Sequence, residues 1–238
     1  MFGDAQTFIV ATLFLIPGVA IAVPVHELAH SYAAIWQGDT TPRRQGYLRW
    51  TWQTFYDPYG VAAALLLRVG WGVMAPVNEY RLRGASGRLI WALAGPAANL
   101  VVAIPFGILA RVLAGSLTDF SYRTFVQPPL SDLFYLVFAI YFFNLAMFAF
   151  NLLPIPGLDG WRVIEALFRS MRPRFFFEAN TRRREIWGIA VIVVFLGAFI
   201  GLNPLGWVMS PFFHPASSLI FGTCAGYPYL TPCLPLGG

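Results

Sequence analysis

An uncharged stretch from Phe8 to Val25 runs directly into the sequence His26-Glu27-Leu28-Ala29-His30. A run of that length predicts most of a transmembrane helix, and ionisable residues inside such a helix are costly unless they serve a function. Residues four apart share a helix face, so both imidazoles can bind one metal ion. We therefore expect a membrane helix over residues 6–36, with a metal site in its last third and Glu27 beside the metal as a general base.

The composition agrees with a membrane protein. Hydrophobic residues make up 58% of the chain and charged residues only 11%, whereas a soluble domain carries about 25% charged residues. For 238 residues we expect one domain over residues 1–238, an all-α polytopic bundle of about four transmembrane helices. All sixteen basic residues are arginines that cluster in loops flanking apolar runs, so the net charge of +5 does not indicate a nucleic-acid partner.

Apolar runs and the loops between them set the expected organisation of the chain. The predicted spans are residues 6–36, 88–113, 130–153 and 186–209, with a loop at 37–87, an arginine-rich connector at 161–185 and a tail at 210–238. Residues 59–76 are also apolar, but Arg68 would lie at mid-depth and glycines interrupt the run. We therefore expect a re-entrant or β-hairpin loop there. The first residues lack the basic region of a cleavable signal peptide.

Arginines indicate the orientation in the membrane. The loop 37–87 holds six of them and the connector 161–185 holds seven, and positively charged loops tend to remain cytoplasmic. We expect an integral protein of the cell membrane, with its metal site toward the cytoplasm and its tail outside. A disulfide between Cys224 and Cys233 in that tail is chemically permitted, and the sequence leaves open whether they pair or stay as free thiols.

A third ligand is expected, because catalytic zinc usually takes three protein ligands and a water. His214 is the only other histidine, but it lies in the tail, on the side opposite His26. Asp159 follows an apolar helix that two prolines break, and one return span between the two helices places it on the same side as His26. This placement requires that residues 59–76 do not cross. The alternative is that Asp159 caps the helix that follows it.

Two further motifs accompany the first. The matching residues are His26-Glu27-Leu28-Ala29-His30, Gly95-Pro96-x-x-Asn99 and Asn151-x-x-Pro154-x-Pro156-x-Leu158-Asp159-Gly160, with shorter matches at Gly38-Asp39, Gln45-Gly46, Asp57-Pro58-x-Gly60, Gly70-Trp71 and Pro76-Val77-Asn78. On these motifs the chain resembles the site-2 proteases, which are intramembrane zinc metalloproteases, and within them the compact subgroup without a PDZ domain. It departs from that subgroup at Phe55-Tyr56, where a histidine is usual, and in lacking an Asn-Pro pair near residues 50–53.

The resemblance implies the chemistry and the substrate. One zinc ion per chain would be held by His26, His30 and Asp159, with Glu27 as the catalytic base. The substrate would be a transmembrane segment of another membrane protein, cut within or near the bilayer in regulated intramembrane proteolysis. Such a helix must first be locally unwound, and we expect the loop at 59–76 to pair with the unwound strand.

Polar residues on the apolar helices leave two interpretations open. Asn99, Asn144 and Asn151 either orient zinc ligands and bind substrate backbone, or form hydrogen bonds between helices. The function also has an alternative, a proteolytically inactive membrane protein that binds and restrains membrane partners. Glu27 argues against that alternative, because binding alone needs no base. A metal transporter would need further ligands along a path, and the sequence offers few.

Overall fold

The computed structural model describes residues 5–67, 72–116 and 130–221, and the predicted tail cysteines Cys224 and Cys233 lie outside these ranges. Within the described ranges the chain is mostly helical, with two isolated β-bridges and no sheet. The helices are α1 (Ala5–Gln37), α2 (Thr41–Arg44), α3 (Trp52–Phe55), α4 (Pro58–Leu67), α5 (Gly84–Ser116), α6 (Leu130–Asn151), α7 (Asp159–Phe168), α8 (Pro173–Thr181), α9 (Arg183–Phe199) and α10 (Pro204–Phe221), with a 3₁₀ turn at Glu79–Arg81.

Three long helices, α1, α5 and α6, pack against one another and form the core of the bundle. Among the described residues, Thr12–Gln37, Gly84–Leu113 and Asp132–Asn151 are long and apolar enough to cross a membrane, and they correspond to the first three predicted spans. Outward-facing side chains of α5, such as Val101 and Val112, are apolar and exposed, as expected of a helix surrounded by lipid. The fold is therefore that of a polytopic helical membrane protein.

The fourth predicted span, residues 186–209, is wrong as a single helix. α9 and α10 are separated by a short turn in which Gly201 has a φ of 77°, and α10 begins at Pro204. A left-handed glycine ends a helix readily and a proline begins one, and both lie here within an apolar run. α10 continues through the start of the predicted tail, and its Met209 and Phe213 are buried in the core that contains α6.

Residues 58–67 form α4 rather than a strand, so the predicted β-hairpin over residues 59–76 is wrong in its first half. Alanine and leucine dominate α4 and favour a helix, whereas most of the glycines that suggested turns lie beyond it. Tyr56, just before α4, and Gly72 pair in an antiparallel bridge. The chain therefore comes back at Gly72 to the same place from which α4 starts. A ten-residue helix is about 15 Å long, roughly half the hydrocarbon thickness, so α4 is too short to cross.

An extended segment, residues 72–78, lies against α1 on the chain's return. The Val73 N–H donates to the Phe55 carbonyl at 2.9 Å, and the Tyr47 hydroxyl donates to the Val73 carbonyl. Burial raises the pKa of Tyr47 well above its ordinary value, so this hydroxyl keeps its proton and remains a donor. A side chain on Gly72 would collide with α1, so glycine allows the extended segment to approach this closely.

Asp39 joins the end of α1 to the extended segment. Its buried carboxylate accepts from the Thr41 N–H at 3.0 Å, the Thr41 hydroxyl at 2.6 Å and the Asn78 N–H at 2.7 Å. Arg81 lies 4.0 Å away. Burial alone would raise the pKa of Asp39, but the hydrogen bonds and the charge of Arg81 outweigh it and hold that pKa below its ordinary value.

We expect Asp39→Asn to lower the free energy of unfolding at neutral pH by about 1–3 kcal/mol, because buried donors lose a charged acceptor. A carboxyl with a lowered folded-state pKa stabilises the fold above its unfolded pKa of about 4, and this stability disappears as the pH falls through the folded value. The wild type should therefore lose its advantage below about pH 4, which thermal unfolding in detergent measures. Replacement of the exposed Asp132 by asparagine is the control. Equal unfolding midpoints of wild type and Asp39→Asn at neutral pH contradict the prediction.

Candidate metal centre

Three side chains from distant parts of the chain converge on one buried point. His26 Nε2 lies 2.9 Å and His30 Nε2 lies 3.0 Å from Asp159 Oδ2, and the two nitrogens are 3.1 Å apart. Their exposed fractions are only 3%, 3% and 2%. Among the described residues, this is the group of His, Cys, Asp or Glu side chains that could hold a metal ion. The structure therefore brings together the three predicted ligands, and His214 is not part of the group.

Two helices supply the candidate ligands. The histidines lie one turn apart on α1, whose upstream half is uncharged, as the spacing predicted. The chain leaves α6 at Asn151, turns, and starts α7 at Asp159 itself. Leu158 occupies the N-cap position without a side-chain capping bond, so the alternative that Asp159 caps α7 is wrong. The Asp159 carboxylate instead faces the histidines.

Hydrogen bonds on the far side of each imidazole fix its tautomer. Asn99 Nδ2 donates to a backbone carbonyl of α1 at 3.0 Å and to Asn144 Oδ1 at 2.9 Å. Asn99 Oδ1 therefore faces His26, and it accepts from Nδ1 at 2.6 Å. The Trp91 carbonyl likewise accepts from His30 Nδ1 at 2.8 Å. Because each Nδ1 carries the hydrogen, both Nε2 atoms direct a lone pair toward the centre.

This donor set fits a zinc ion. Imidazole nitrogens and a carboxylate oxygen are ligands of catalytic zinc, and the ligands of one tetrahedral zinc lie about 3.3 Å apart. A single proton shared with the carboxylate would satisfy the lone pair of only one nitrogen and would leave that of the other nitrogen, 3.1 Å away, without a positive partner of its own. A divalent cation at the centre satisfies all three donor atoms at once.

Gly95 of α5 provides the space for the two imidazoles. A side-chain carbon built at this position would lie 2.7 Å from His26 Nε2 and closer still to His30 Nε2. Any residue other than glycine would therefore displace at least one ring. The sequence singled out Gly95 as part of the Gly95-Pro96-x-x-Asn99 motif, and the structure shows that this glycine lies directly against the two imidazoles.

Glu27 lies beside the ligands and is held by the extended segment. Its Oε2 accepts from the Ala75 N–H at 2.8 Å, and its side chain is buried. Glu27 and the three candidate ligands all line a cavity of about 420 Å³, to which Met74 and Trp187 also contribute. A cavity of this size lies in the range of sites that bind substrates.

The three predicted asparagines occupy different positions around the site. Asn99 contacts His26 directly, whereas Asn144 contacts Asn99 and donates from its own amide to a carbonyl of α6 at 2.8 Å. Both are fully buried. Asn151 lines the cavity at the end of α6, where its amide donates to the Met147 carbonyl at 3.0 Å.

Two residues that the sequence reasoning did not single out also belong to this region. Trp91 supplies the carbonyl that orients His30, and Arg162 Nη1 donates to Asp159 Oδ1 at 2.9 Å. Arg162 follows Asp159 by three positions in a predicted helix, and that spacing could have revealed it. The backbone role of Trp91 has no sequence signal, because it depends on how α5 packs against α1.

A helical membrane fold with a buried His-His-Asp set and an adjacent glutamate is characteristic of the membrane metalloproteases. Residues 14–198 match the family model described as peptidase family M50. The chain belongs to this family, so the resemblance to the site-2 proteases is confirmed. It is a metalloendopeptidase and an integral membrane protein, and zinc is the metal that the family implies.

Named relatives agree with this assignment. The chain is 33% identical over 196 residues to YwhC of Bacillus subtilis (strain 168), named as a candidate zinc metalloprotease; the match covers 81% of this chain and 82% of the relative. It is 29% identical over 189 residues to Rip2 of Mycolicibacterium smegmatis, similarly named, with 77% of this chain and 66% of the relative covered. Rip2 of Mycobacterium tuberculosis H37Rv is 25% identical over 201 residues, covering 82% and 70%. No solved structure matches with comparable significance.

Proposed function

We propose that this protein is an intramembrane zinc endopeptidase that hydrolyses a peptide bond within or near a transmembrane segment of another membrane protein, in regulated intramembrane proteolysis. The observation that carries the proposal is the convergence of three buried ligand atoms within about 3 Å of one another. They lie where α1, an apolar helix able to span the membrane, meets the start of α7. A site buried inside a membrane bundle favours substrates that are themselves in the membrane.

The roles proposed for the residues follow from their positions. His26, His30 and Asp159 would hold one zinc ion per chain. Zinc bound there would lower the pKa of a water molecule and polarise a peptide carbonyl. Glu27 takes a proton from the water that attacks the carbonyl carbon, and it then donates that proton to the amine that leaves. The Ala75 N–H keeps the Glu27 carboxylate directed into the cavity.

The asparagines divide between the two interpretations that the sequence left open. The Asn99 side chain keeps His26 in the tautomer that a metal requires, so we assign it to ligand orientation. Asn144 supports Asn99 and links α5 to α6. Asn151 lines the cavity, and we assign it to contact with the substrate backbone.

We propose one domain over residues 1–238 with four membrane spans. α9 is the fourth span, in addition to α1, α5 and α6. We place the metal site toward the cytoplasmic side of the cell membrane, because the arginine-rich segments 37–87 and 161–185 adjoin it. A polar cavity of about 730 Å³, lined by residues such as Tyr80, Arg88 and Glu165, supports an aqueous opening on this side.

The first test is the zinc content of the wild type and of Asp159→Ala, each purified in mild detergent. We expect near-stoichiometric zinc in the wild type and less than about a tenth of it in the variant, because two neutral imidazoles alone hold zinc weakly. Size-exclusion chromatography checks that both proteins remain folded. A wild type without zinc, even after reloading at neutral pH, contradicts the proposal and favours an inactive protein that restrains membrane partners.

A further inference from the structure

Arg162 makes an ion pair with the aspartate of the metal centre. The residue lies one turn after Asp159 on α7, and its Nη1 donates to Asp159 Oδ1 at 2.9 Å. The other carboxylate oxygen, Oδ2, is the atom that faces His26 and His30. The two oxygens of Asp159 therefore have different partners, and the arginine determines which oxygen is left for the metal.

The same guanidinium packs on the helix that orients His30. Its central carbon lies 4.6 Å from the centroid of the Trp91 ring, and the Trp91 carbonyl accepts from His30 Nδ1 at 2.8 Å. The Trp91 side chain is only 4% exposed and the Arg162 side chain only 16%. Stacking a cation on an aromatic ring is favourable where little water reaches the pair, and it fixes the plane of the guanidinium.

A third contact reaches the segment that holds the base. Arg162 Nη2 donates to the thioether sulfur of Met74, which is the residue before Ala75 in the extended segment. The Ala75 N–H in turn donates to Glu27 Oε2 at 2.8 Å. One side chain of α7 thus contacts a metal ligand, the helix that orients a second ligand, and the segment that positions Glu27.

We propose that Arg162 is a positioning residue that holds Asp159 as a one-oxygen ligand and ties α7 to α5 and the extended segment. The inference rests on the proposed zinc site but adds a residue to it. The planar fork of arginine suits this role, because it can donate in two directions and stack at the same time. Lysine would keep the charge but not the two directed donors or the stacking.

The test measures the zinc dissociation constant of metal-free protein in detergent, by competition with a chromophoric chelator at fixed pH. We expect Arg162→Ala to weaken zinc binding by about 10- to 100-fold, the range found when a group that orients a metal ligand is removed. Arg162→Lys should recover part of this loss. The matched control is Arg169→Ala, which removes an exposed arginine of the same connector that pairs with Glu165 at 3.4 Å, and it should leave zinc affinity within about twofold.

The outcomes separate this inference from the proposed function. Wild type that binds zinc, with Arg162→Ala binding it as tightly as Arg169→Ala, overturns the positioning role and leaves the zinc site intact. Wild type that binds no zinc overturns both. The thermal unfolding midpoint of the metal-free proteins serves as the check on folding. If Arg162→Ala does not fold, a weaker zinc affinity in Arg162→Lys with an unchanged unfolding midpoint still supports the positioning role. An unchanged zinc affinity in both Arg162→Lys and Arg162→Ala overturns that role.

Discussion

Replacing Glu27 with glutamine will abolish peptide hydrolysis and leave the zinc in place. Glutamine has the size and shape of glutamate, and its amide oxygen can accept the Ala75 N–H as Glu27 Oε2 does at 2.8 Å. The amide cannot take a proton at neutral pH, so the step that activates the attacking water is lost. General bases contribute about 10²- to 10⁴-fold to catalysis, and we expect a loss in the upper part of that range.

The measurement uses a reporter with a single transmembrane helix, weakened by two central glycines and tagged on both sides. Enzyme and reporter are reconstituted together in vesicles of phosphatidylethanolamine and phosphatidylglycerol, and the rate of tag separation is compared with zinc content. Glu165→Gln is the control, because Glu165 lies on α7 outside the cavity that holds Glu27. Cleavage by Glu27→Gln at the wild-type rate would show that another group is the base.

The two histidines are the part of the site that the sequence predicted most directly, and that prediction rests on local spacing alone. His26 and His30 share a face because any helix places residues four apart together, so the pair needed no knowledge of the tertiary fold. The prediction of Asp159 required one further step. An odd number of return spans between the first helix and the helix before Asp159 puts the C-terminal ends of both helices on the same side of the membrane. That argument excluded a crossing at residues 59–76, and the short α4 agrees with it.

The elements that the sequence predicted wrongly depend on contacts between helices, which no local pattern specifies. The apolar composition of residues 58–67 suits a short buried helix as well as a strand, and the glycines around it favoured the wrong choice. The sequence analysis divided α10 between the span at 186–209 and the tail at 210–238, but burial of Met209 and Phe213 stabilises one helix across that boundary despite Pro211 and Pro215 within it. Sequence patterns report local preference, whereas these elements depend on packing between elements.

A methyl group at Gly95 will disrupt the metal centre as severely as removal of a ligand. In Gly95→Ala the added carbon would lie 2.7 Å from His26 Nε2, whereas carbon and nitrogen atoms in contact normally stay about 3.5 Å apart. Neither ring can move away freely, because the Asn99 side chain holds His26 and the Trp91 carbonyl holds His30. Both anchors are on α5, the helix that carries Gly95.

The imidazoles of Gly95→Ala must therefore give up those hydrogen bonds, or α5 must move away from α1. In either case the three ligand atoms separate, and we expect loss of both zinc and cleavage to less than about a tenth of wild type. Gly188→Ala is the matched control, because Gly188 lies in α9 with open space around it, and alanine there should slightly favour the helix. Wild-type zinc content in Gly95→Ala would mean that α1 and α5 do not pack this closely around the metal. Loss of zinc in Gly95→Ala but not in Gly188→Ala would mean that the approach of α5 determines the geometry of the site as much as the ligands themselves.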